Sequence, residues 1–502
     1  MSYVVGVDVS TTGVKAIVID EHGDVVGSAL TEHPWSTPRP LWVEQDPHDW
    51  WNGTCRSVQL VLEQTGIPSQ EIVGVGLTGQ MHGLTLLDKA SRVMRPAILW
   101  NDQRTQEQCD RIRSVFGKKE LIALTGNDAL AGFTLPKLLW VKDREPDVYE
   151  RVAHVLLPKD YVRFRLTGAF ATDLAGASGT LMLDVAKRDW AKPVLDRLGI
   201  SHDWLPPTHE GPESTGQVTE EASERTGIPV GTPVFAGAGD QAAQAIGVGA
   251  SHPGTVAITL GTSGVVFAPT DRPVVEPEGR LHAFCHAVPG RWTLMGVMLS
   301  AAGSLRWFRD EFVPSESFDL LTQEASHVPV GSNGLLFLPY LTGERMPHAD
   351  PRARGAFVGL TVRHDRAALT RAVLEGVSFG LREGLELLSA AGVDQTTEVR
   401  VSGGGARSPL WRQIVADALG RELMLVNTVE GAAYGAALLA GVGAGVWSTV
   451  DEACSDTIRI KETVEPQKES TARYDDMFSL YKQLYPALRQ TSHALSRYAE
   501  SC

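Results

Sequence analysis

Two Val/Ile-rich runs open the chain, one on each side of the small polar turn Ser10-Thr11-Thr12-Gly13, within Tyr3–Asp20. This pattern predicts a strand, a tight turn and a second strand. After another turn at residues 20–24, Val25–Leu30 predicts a third strand and an antiparallel meander. Pro47–Glu63 has helical periodicity, with Trp50, Val58, Val61 and Leu62 on the apolar side. Ile72–Leu77 reads as a buried strand that runs out into Gln80-Met81-His82-Gly83, and Leu84–Asp88 and Pro96–Trp100 read as two more strands. Residues 104–170 read mostly as short helices. Val234–Ala236 predicts a strand, followed by Gly239-Asp240-Gln241 and a small-residue helix to Gly247.

Ile258–Val265, ITLGTSGV, echoes Val7–Val14, VDVSTTGV. The copies lie about half a chain apart, which points to a duplicated domain and not a solenoid. A break at 249–254 therefore divides residues 1–247 from residues 248–502. In the second half, strands are expected at Leu281–Val288, Trp292–Val297 and Val399–Val401, and helices at Ser300–Phe312, Arg366–Ala391 and Pro409–Leu419. One or two polar helices are expected over Glu465–Tyr498. Alternating strands and helices in two halves predict an α/β architecture of two lobes with a central cleft.

Composition narrows the partners. A net charge of -14 over 502 residues argues against a nucleic-acid or anionic-membrane partner. Cys55, Cys109, Cys285, Cys454 and Cys502 form no CxxC pair, so no zinc site is expected and a reducing, cytoplasmic setting is. The residues before the first strand show neither a basic nor an apolar leader pattern, so no signal peptide is expected. Gly431–Trp447, the longest uncharged run of small and apolar residues, is too short to span a membrane and predicts a tightly packed buried helix.

Asp8 interrupts the first apolar run, where a charge is costly unless it is paired or holds a cation. The turn beside it offers hydroxyls and open backbone N–H groups, the chemistry of an anion-binding concavity; an ordinary hairpin ending in a solvated acid has the same pattern. Asp8 aligns with Thr259, so only the first copy carries the acid. Two such hairpins facing each other suit a nucleoside triphosphate between the halves. Asp240 lies just before the break and reads as a helix cap or as a cleft carboxylate able to take a proton from an attacking hydroxyl. Near-normal acidity would suffice for that role. Gly403-Gly404-Gly405 between a strand and a helix reads as a tight turn or a ligand approach, and matches neither a dinucleotide fingerprint nor a P-loop. Trp100 to Arg104, with Asp102, suits a polyhydroxylated substrate or a surface turn.

Together these segments resemble the FGGY carbohydrate kinases of the actin-like ATPase superfamily, from Val4 to about Gly441. Gly132–Trp140 and Gly355–Leu360, the latter continued through Leu369–Glu375, are similar to that family's signatures. The resemblance implies a two-lobed actin-like ATPase fold, a duplicated ribonuclease H-like unit, and an ATP-dependent kinase of a sugar hydroxyl. D-xylulose is the expected acceptor; another pentulose, a polyol or gluconate is the alternative, and a non-enzymatic nucleotide-binding switch is the rival class. The resemblance also implies roles. Asp240 would be the general base and Asp8 would hold Mg²⁺. Thr11, Thr12, Gly13, Gly261, Thr262 and Ser263 would cradle the ATP phosphates. Gly303, Gly403, Gly404 and Gly405 would border the nucleoside. Met81, His82 and Gln241, with Trp100 and Asp102, would meet the sugar. A homodimer is the family-level expectation.

Overall fold

The computed structural model describes residues 2–393 and 395–500; Cys502 lies outside them. Two sheets of matching topology carry the fold. In the first, Tyr3–Val9 (β1), Gly13–Ile19 (β2) and Val25–Glu32 (β3) form the expected antiparallel meander. Ile72–Gly79 (β4) joins β1 in parallel. Ser214–Gln217 (β5) closes the sheet antiparallel to Pro233–Gly239 (β6), and β6 runs parallel to β4. The order is β5-β6-β4-β1-β2-β3.

The second sheet contains Thr255–Leu260 (β7), Gly264–Thr270 (β8), His282–Cys285 (β9), Trp292–Met298 (β10), Glu398–Ser402 (β11), Leu423–Val426 (β12) and Ile460–Val464 (β13), in the order β9-β10-β8-β7-β11-β12-β13. Without β9, each strand has a counterpart of the same direction in the first sheet: β7 and β8 repeat β1 and β2, and β11 repeats β4. The sequence echo is thus the visible part of a duplicated unit.

The helices that position the site are Pro47–Thr65 (α1), Thr134–Arg144 (α2), Asp240–Gly247 (α3), Ala302–Phe312 (α4), Arg366–Ala390 (α5), Pro409–Leu419 (α6), Ala432–Gly443 (α7) and Lys468–Glu500 (α8). Val5, Val7 and Val9 on β1 pack with Trp50, Val58 and Val61 of α1 in a core under the first sheet. The long runs of buried residues in β1 and β2 follow from cover on both faces. The second face is covered by α7, which comes from the other half of the chain. A Cβ on Gly76 would fall 1.9 Å from the Ala436 carbonyl oxygen, and one on Gly435 would fall 1.9 Å from that of Ala243. Glycine at these two positions therefore lets α7 lie directly on β4 and α3. The predicted buried small-residue helix is the piece that joins the halves, and a core containing Val4, Ala243, Phe267 and Ala433 crosses the seam.

Two expectations need adjusting. The predicted strands after His82 shorten to Thr85–Leu87 and Ala97–Ile98, which pair with His154–Leu156 and Glu44–Gln45 and share only one bridge, Leu84 with Ile98. The C-terminal segment is one helix, α8, held by buried Tyr474, Phe478 and Tyr481.

Candidate active site

The strand ends of the first sheet bring Asp8 and Asp240 together. Asp8 on β1 is in register with Thr78 on β4, and Thr78 with Ala238 on β6. Two strand spacings separate the backbones by roughly 10 Å, within reach of converging side chains. Asp240 begins α3 one residue after its cap, Gly239. Burial first, and the neighbouring Asp8 charge second, push its carboxyl up to about 7. Asp8 is pushed up to about 6 by burial, against the pull of Lys15. The helix N-terminus favours the Asp240 ion, but removal from water outweighs it. Among the described residues, Asp8 Oδ1 is buried with no hydrogen-bond partner.

The strand leading to Asp240, β6, is braced from below. Arg163 donates to the carbonyls of Phe235 at 2.9 Å and Ala236 at 2.6 Å. Lys159 bridges Asp160 and Asp173, each at 2.5 Å. These ions are sealed from solvent, so breaking one pair would strand a charge.

A polar network holds the first hairpin turn. Gln45 Nε2 donates to the Thr11 carbonyl at 2.6 Å, and Gln45 Oε1 accepts from Trp50 Nε1 at 3.0 Å and Gln80 Nε2 at 2.9 Å. Thr11 Oγ1 donates to Gln80 Oε1 at 3.2 Å and accepts from Trp100 Nε1 at 2.9 Å. Thr12 is exposed, and Gly13 lacks a side chain because a Cβ would fall 2.7 Å from the Thr31 carbonyl oxygen. Trp100 thus belongs to the turn. Gln45 escaped the sequence reading because it sits in a two-residue strand with no pattern of its own.

The second hairpin turn is tied to the start of α4. Ala302 N–H donates to the Gly261 carbonyl at 2.8 Å, and those of Ala301 and Gly303 donate to the Thr262 carbonyl at 2.9 and 3.1 Å. The Gly303 amide is thereby used, while the Thr262 side chain is exposed and Ser263 partly so. Gly403 takes φ +94°, and a Cβ there would fall 2.7 Å from the Leu260 carbonyl oxygen. A Cβ on Gly404 would meet nothing within 4 Å. Gly404 and Gly405 line a cavity of about 350 Å³ with Ala302, Leu305, Arg306 and Arg407. Gly403 and Gly404 also border one of about 460 Å³ that reaches Gln244, Thr259 and Ser402.

Met81 stands beside Gly239, and both Met81 and His82 stand beside Gly179. His82 has φ +66° and its carbonyl accepts from Lys137 Nζ and Thr134 Oγ1, each at 3.0 Å. Lys137 also donates to the Gly132 carbonyl at 2.8 Å. One of the signature-like stretches is thus the clamp on the left-handed His82. His82 Nδ1 donates to the Gly179 carbonyl at 2.6 Å, and burial pushes the imidazole down to about 3, so Nε2 is left as an acceptor. Gln241 hydrogen-bonds Asp240.

Asp102 is a correction. Its Oδ1 and Oδ2 accept from Arg104 Nε at 3.0 and 2.9 Å, its Oδ2 also accepts from Val43 N–H at 2.7 Å, and it is fully buried. It fixes the loop and has no oxygen free for a sugar. Among the described residues no group of three or more His, Cys, Asp or Glu could hold a metal ion by itself, and no helix is long and apolar enough to cross a membrane.

Comparison with known proteins agrees with this architecture. The model of the FGGY family of carbohydrate kinases, N-terminal domain, matches residues 3–247, and that of its C-terminal domain matches residues 256–444. The chain is 41% identical over 485 residues to the xylulose kinase of Escherichia coli (strain K12), covering 96% of this chain and 99% of that protein. It is 38% identical over 501 residues to the xylulose kinase of Bacillus subtilis (strain 168), covering 100% of each. The solved structure of ligand-bound xylulose kinase from Lactobacillus acidophilus is similar with a TM-score of 0.94 at 26% identity, over 99% of this chain and 100% of that one.

Proposed function

The chain belongs to the FGGY family of carbohydrate kinases, and on that premise we propose that it transfers the γ-phosphoryl group of ATP to the primary hydroxyl of D-xylulose, giving D-xylulose 5-phosphate. The observation that carries the chemistry is the Asp8–Asp240 pair, two carboxyls of raised pKa at the strand ends between two hydroxyl-bearing turns. The choice of sugar rests on the xylulose kinases among its relatives.

In this reading residues 1–247 and 248–502 are the two lobes. Asp240 takes the proton of the attacking hydroxyl. A carboxyl near 7 is well matched to that task at neutral pH. Gln241 orients the carboxylate, and the neutral His82 accepts a hydrogen bond from the sugar. Thr11 and Thr12 face the transferring phosphate from one turn, and Thr262 and Ser263 from the other. The adenosine lies against Gly404 and Gly405 in the cavity of about 350 Å³.

Asp8 fits a hard divalent cation, because among the described residues its Oδ1 is buried and unpartnered and Mg²⁺ is commonly held by one or two carboxylates with substrate phosphates. Bound there, Mg²⁺ would offset phosphate charge and the charge of the Asp8 carboxylate.

ADP release with Mg-ATP is measured against D-xylulose, D-ribulose, L-ribulose, glycerol and gluconate. D-xylulose should turn over best, and Asp240→Asn should cut turnover by about 10²–10⁴. Preference for another acceptor would refute the sugar assignment, and a loss under about tenfold would refute the role of Asp240.

A further inference from the structure

We propose that Asp319 and Thr322 select the base of the nucleotide: both side chains accept hydrogen bonds from the 6-amino group of adenine, so that ATP is taken in preference to 6-oxopurine triphosphates. The inference rests on the reading above, in which the adenosine lies in the cavity of about 350 Å³.

The cavity has two ends. Ala302 lines one of them, where α4 begins, and its N–H donates to the carbonyl of Gly261 in the second hairpin turn at 2.8 Å. Gly404 and Arg407 line this cavity and also the one of about 460 Å³ that reaches Thr259 on β7. These residues mark the side that leads to the phosphates. Leu305 and Arg306 follow one turn further along α4. The helix Phe318–Ser326 lines the smaller cavity alone, through Phe318, Asp319 and Thr322. With the phosphates at the turn, the base lies toward this helix.

Helical spacing puts Phe318, Asp319 and Thr322 on one face. Leu321 and Ala325 are buried on another, and Arg366 of α5 donates to Glu316 Oε1 at 2.8 Å and Glu324 Oε2 at 2.9 Å. The helix is therefore fixed with Asp319 and Thr322 at the cavity. Thr322 Oγ1 donates its only proton to the carbonyls of Phe318 at 3.0 Å and Asp319 at 3.1 Å, so toward the cavity it is an acceptor. Among the described residues the Asp319 carboxylate accepts no hydrogen bond and joins no ion pair, and an ionised carboxylate only accepts. Buried Leu305 and Trp411 line the cavity with apolar surface, and a Cβ on Gly404 would meet nothing within 4 Å, which leaves room for a flat ring. Two neighbouring acceptors beside an apolar slot match an amino group, which brings two hydrogens. They oppose a carbonyl oxygen, which brings none.

The test measures binding of the Mg²⁺ complexes of ATP, ITP and purine riboside triphosphate by calorimetry, in the full chain and in Asp319→Asn and Thr322→Val. ITP has an oxygen at position 6 of the base, and purine riboside triphosphate has only hydrogen there. A hydrogen bond to a charged group predicts that the parent chain favours ATP over ITP by about tenfold, with purine riboside triphosphate between them. Asp319→Asn, whose amide donates to a 6-oxygen, should abolish the preference by tightening ITP as well as weakening ATP, a gain that misfolding does not produce. Removing the negative charge favours all three triphosphates alike, so the ratio is free of that effect. Thr322→Val should weaken ATP several-fold and leave purine riboside triphosphate unchanged. A parent chain that binds ATP and ITP equally, or a preference kept in Asp319→Asn, would overturn the proposal. Binding is read without sugar, so a wrong acceptor appears only as failed turnover with D-xylulose and leaves the base comparison to decide Asp319.

Discussion

Asp240→Asn should stabilise the ligand-free protein at alkaline pH while removing its activity. Folding raises the Asp240 carboxyl from 3.8 to about 7. A raised carboxyl pKa means that the stability it contributes is fully present below the unfolded value and is lost as pH rises through the folded value. At about 1.4 kcal/mol per pKa unit, the ionised group costs the fold about 4 kcal/mol at pH 8. Because Asp240 is partly exposed, solvent screening trims this toward about 2–3 kcal/mol. Asn is close in shape and carries no charge, so it recovers most of that. For a folding unit of about 250 residues this is a rise in Tm of about 5–10 °C. At pH 5 the parent carboxyl is protonated in the fold, and only the ionisation of the unfolded chain still disfavours folding, so the advantage should shrink to about a third. The assay is thermal unfolding of both proteins from pH 5 to pH 8.5, with EDTA and without nucleotide, so that no cation offsets the charge. The repulsion from Asp8 makes a further demand: the gains from Asp8→Asn and Asp240→Asn should sum to more than the double variant shows. A less stable Asp240→Asn at pH 8, or a gain that does not shrink on acidification, would refute the argument that this pair is held against its own desolvation.

Two further substitutions probe the supports of the site. Gln45→Glu keeps the shape but turns the 2.6 Å donor to the Thr11 carbonyl into an acceptor; KM for ATP should rise about tenfold with KM for sugar nearly unchanged, read from steady-state kinetics with each substrate varied. Lys137→Met withdraws the ammonium from the carbonyls of His82 and Gly132. The left-handed His82 then relies on Thr134, so KM for sugar should rise several-fold at constant KM for ATP and Tm should fall by a few degrees, and an unchanged KM for sugar would show that the clamp does not matter.

The hairpins, the break between the halves and the buried small-residue helix were legible because each has a local signature: alternating runs around Ser-Thr-Gly turns, an internal echo, and glycines at small-residue spacing. Partnerships across the chain were not. Gly431 and Gly435 predict close packing but do not name Ala243 or β4 as the partner. Asp102 looked available because the sequence shows an acid near an arginine without showing that Arg104 closes on it. Gln45 carries no periodicity, and its importance lies in contacts with residues far along the chain. Asp240 could be found from its place at a strand end before the break, but its pKa depends on how deeply the halves bury it.

The duplication also explains the division of labour between the halves. β1 and β7 occupy equivalent places, yet Asp8 stands where the copy has Thr259, whose Oγ1 lies 3.5 Å from Ser402 Oγ. On the first half, Asp8 and Asp240 form an acidic wall that repels a polyphosphate unless a cation intervenes, and that suits proton removal from a neutral sugar. On the second half the position equivalent to Asp8 carries the Thr259 hydroxyl, and the loop after β11 is glycine, so in the proposed reading a nucleotide there would meet donors and space. Exchanging Asp8 and Thr259 would put the acid on the nucleotide side and leave the sugar side without a counterpart for the cation. The strand order alone would permit either orientation of transfer. In the proposed reading, the acid present in only one copy would favour transfer from the second half to the first.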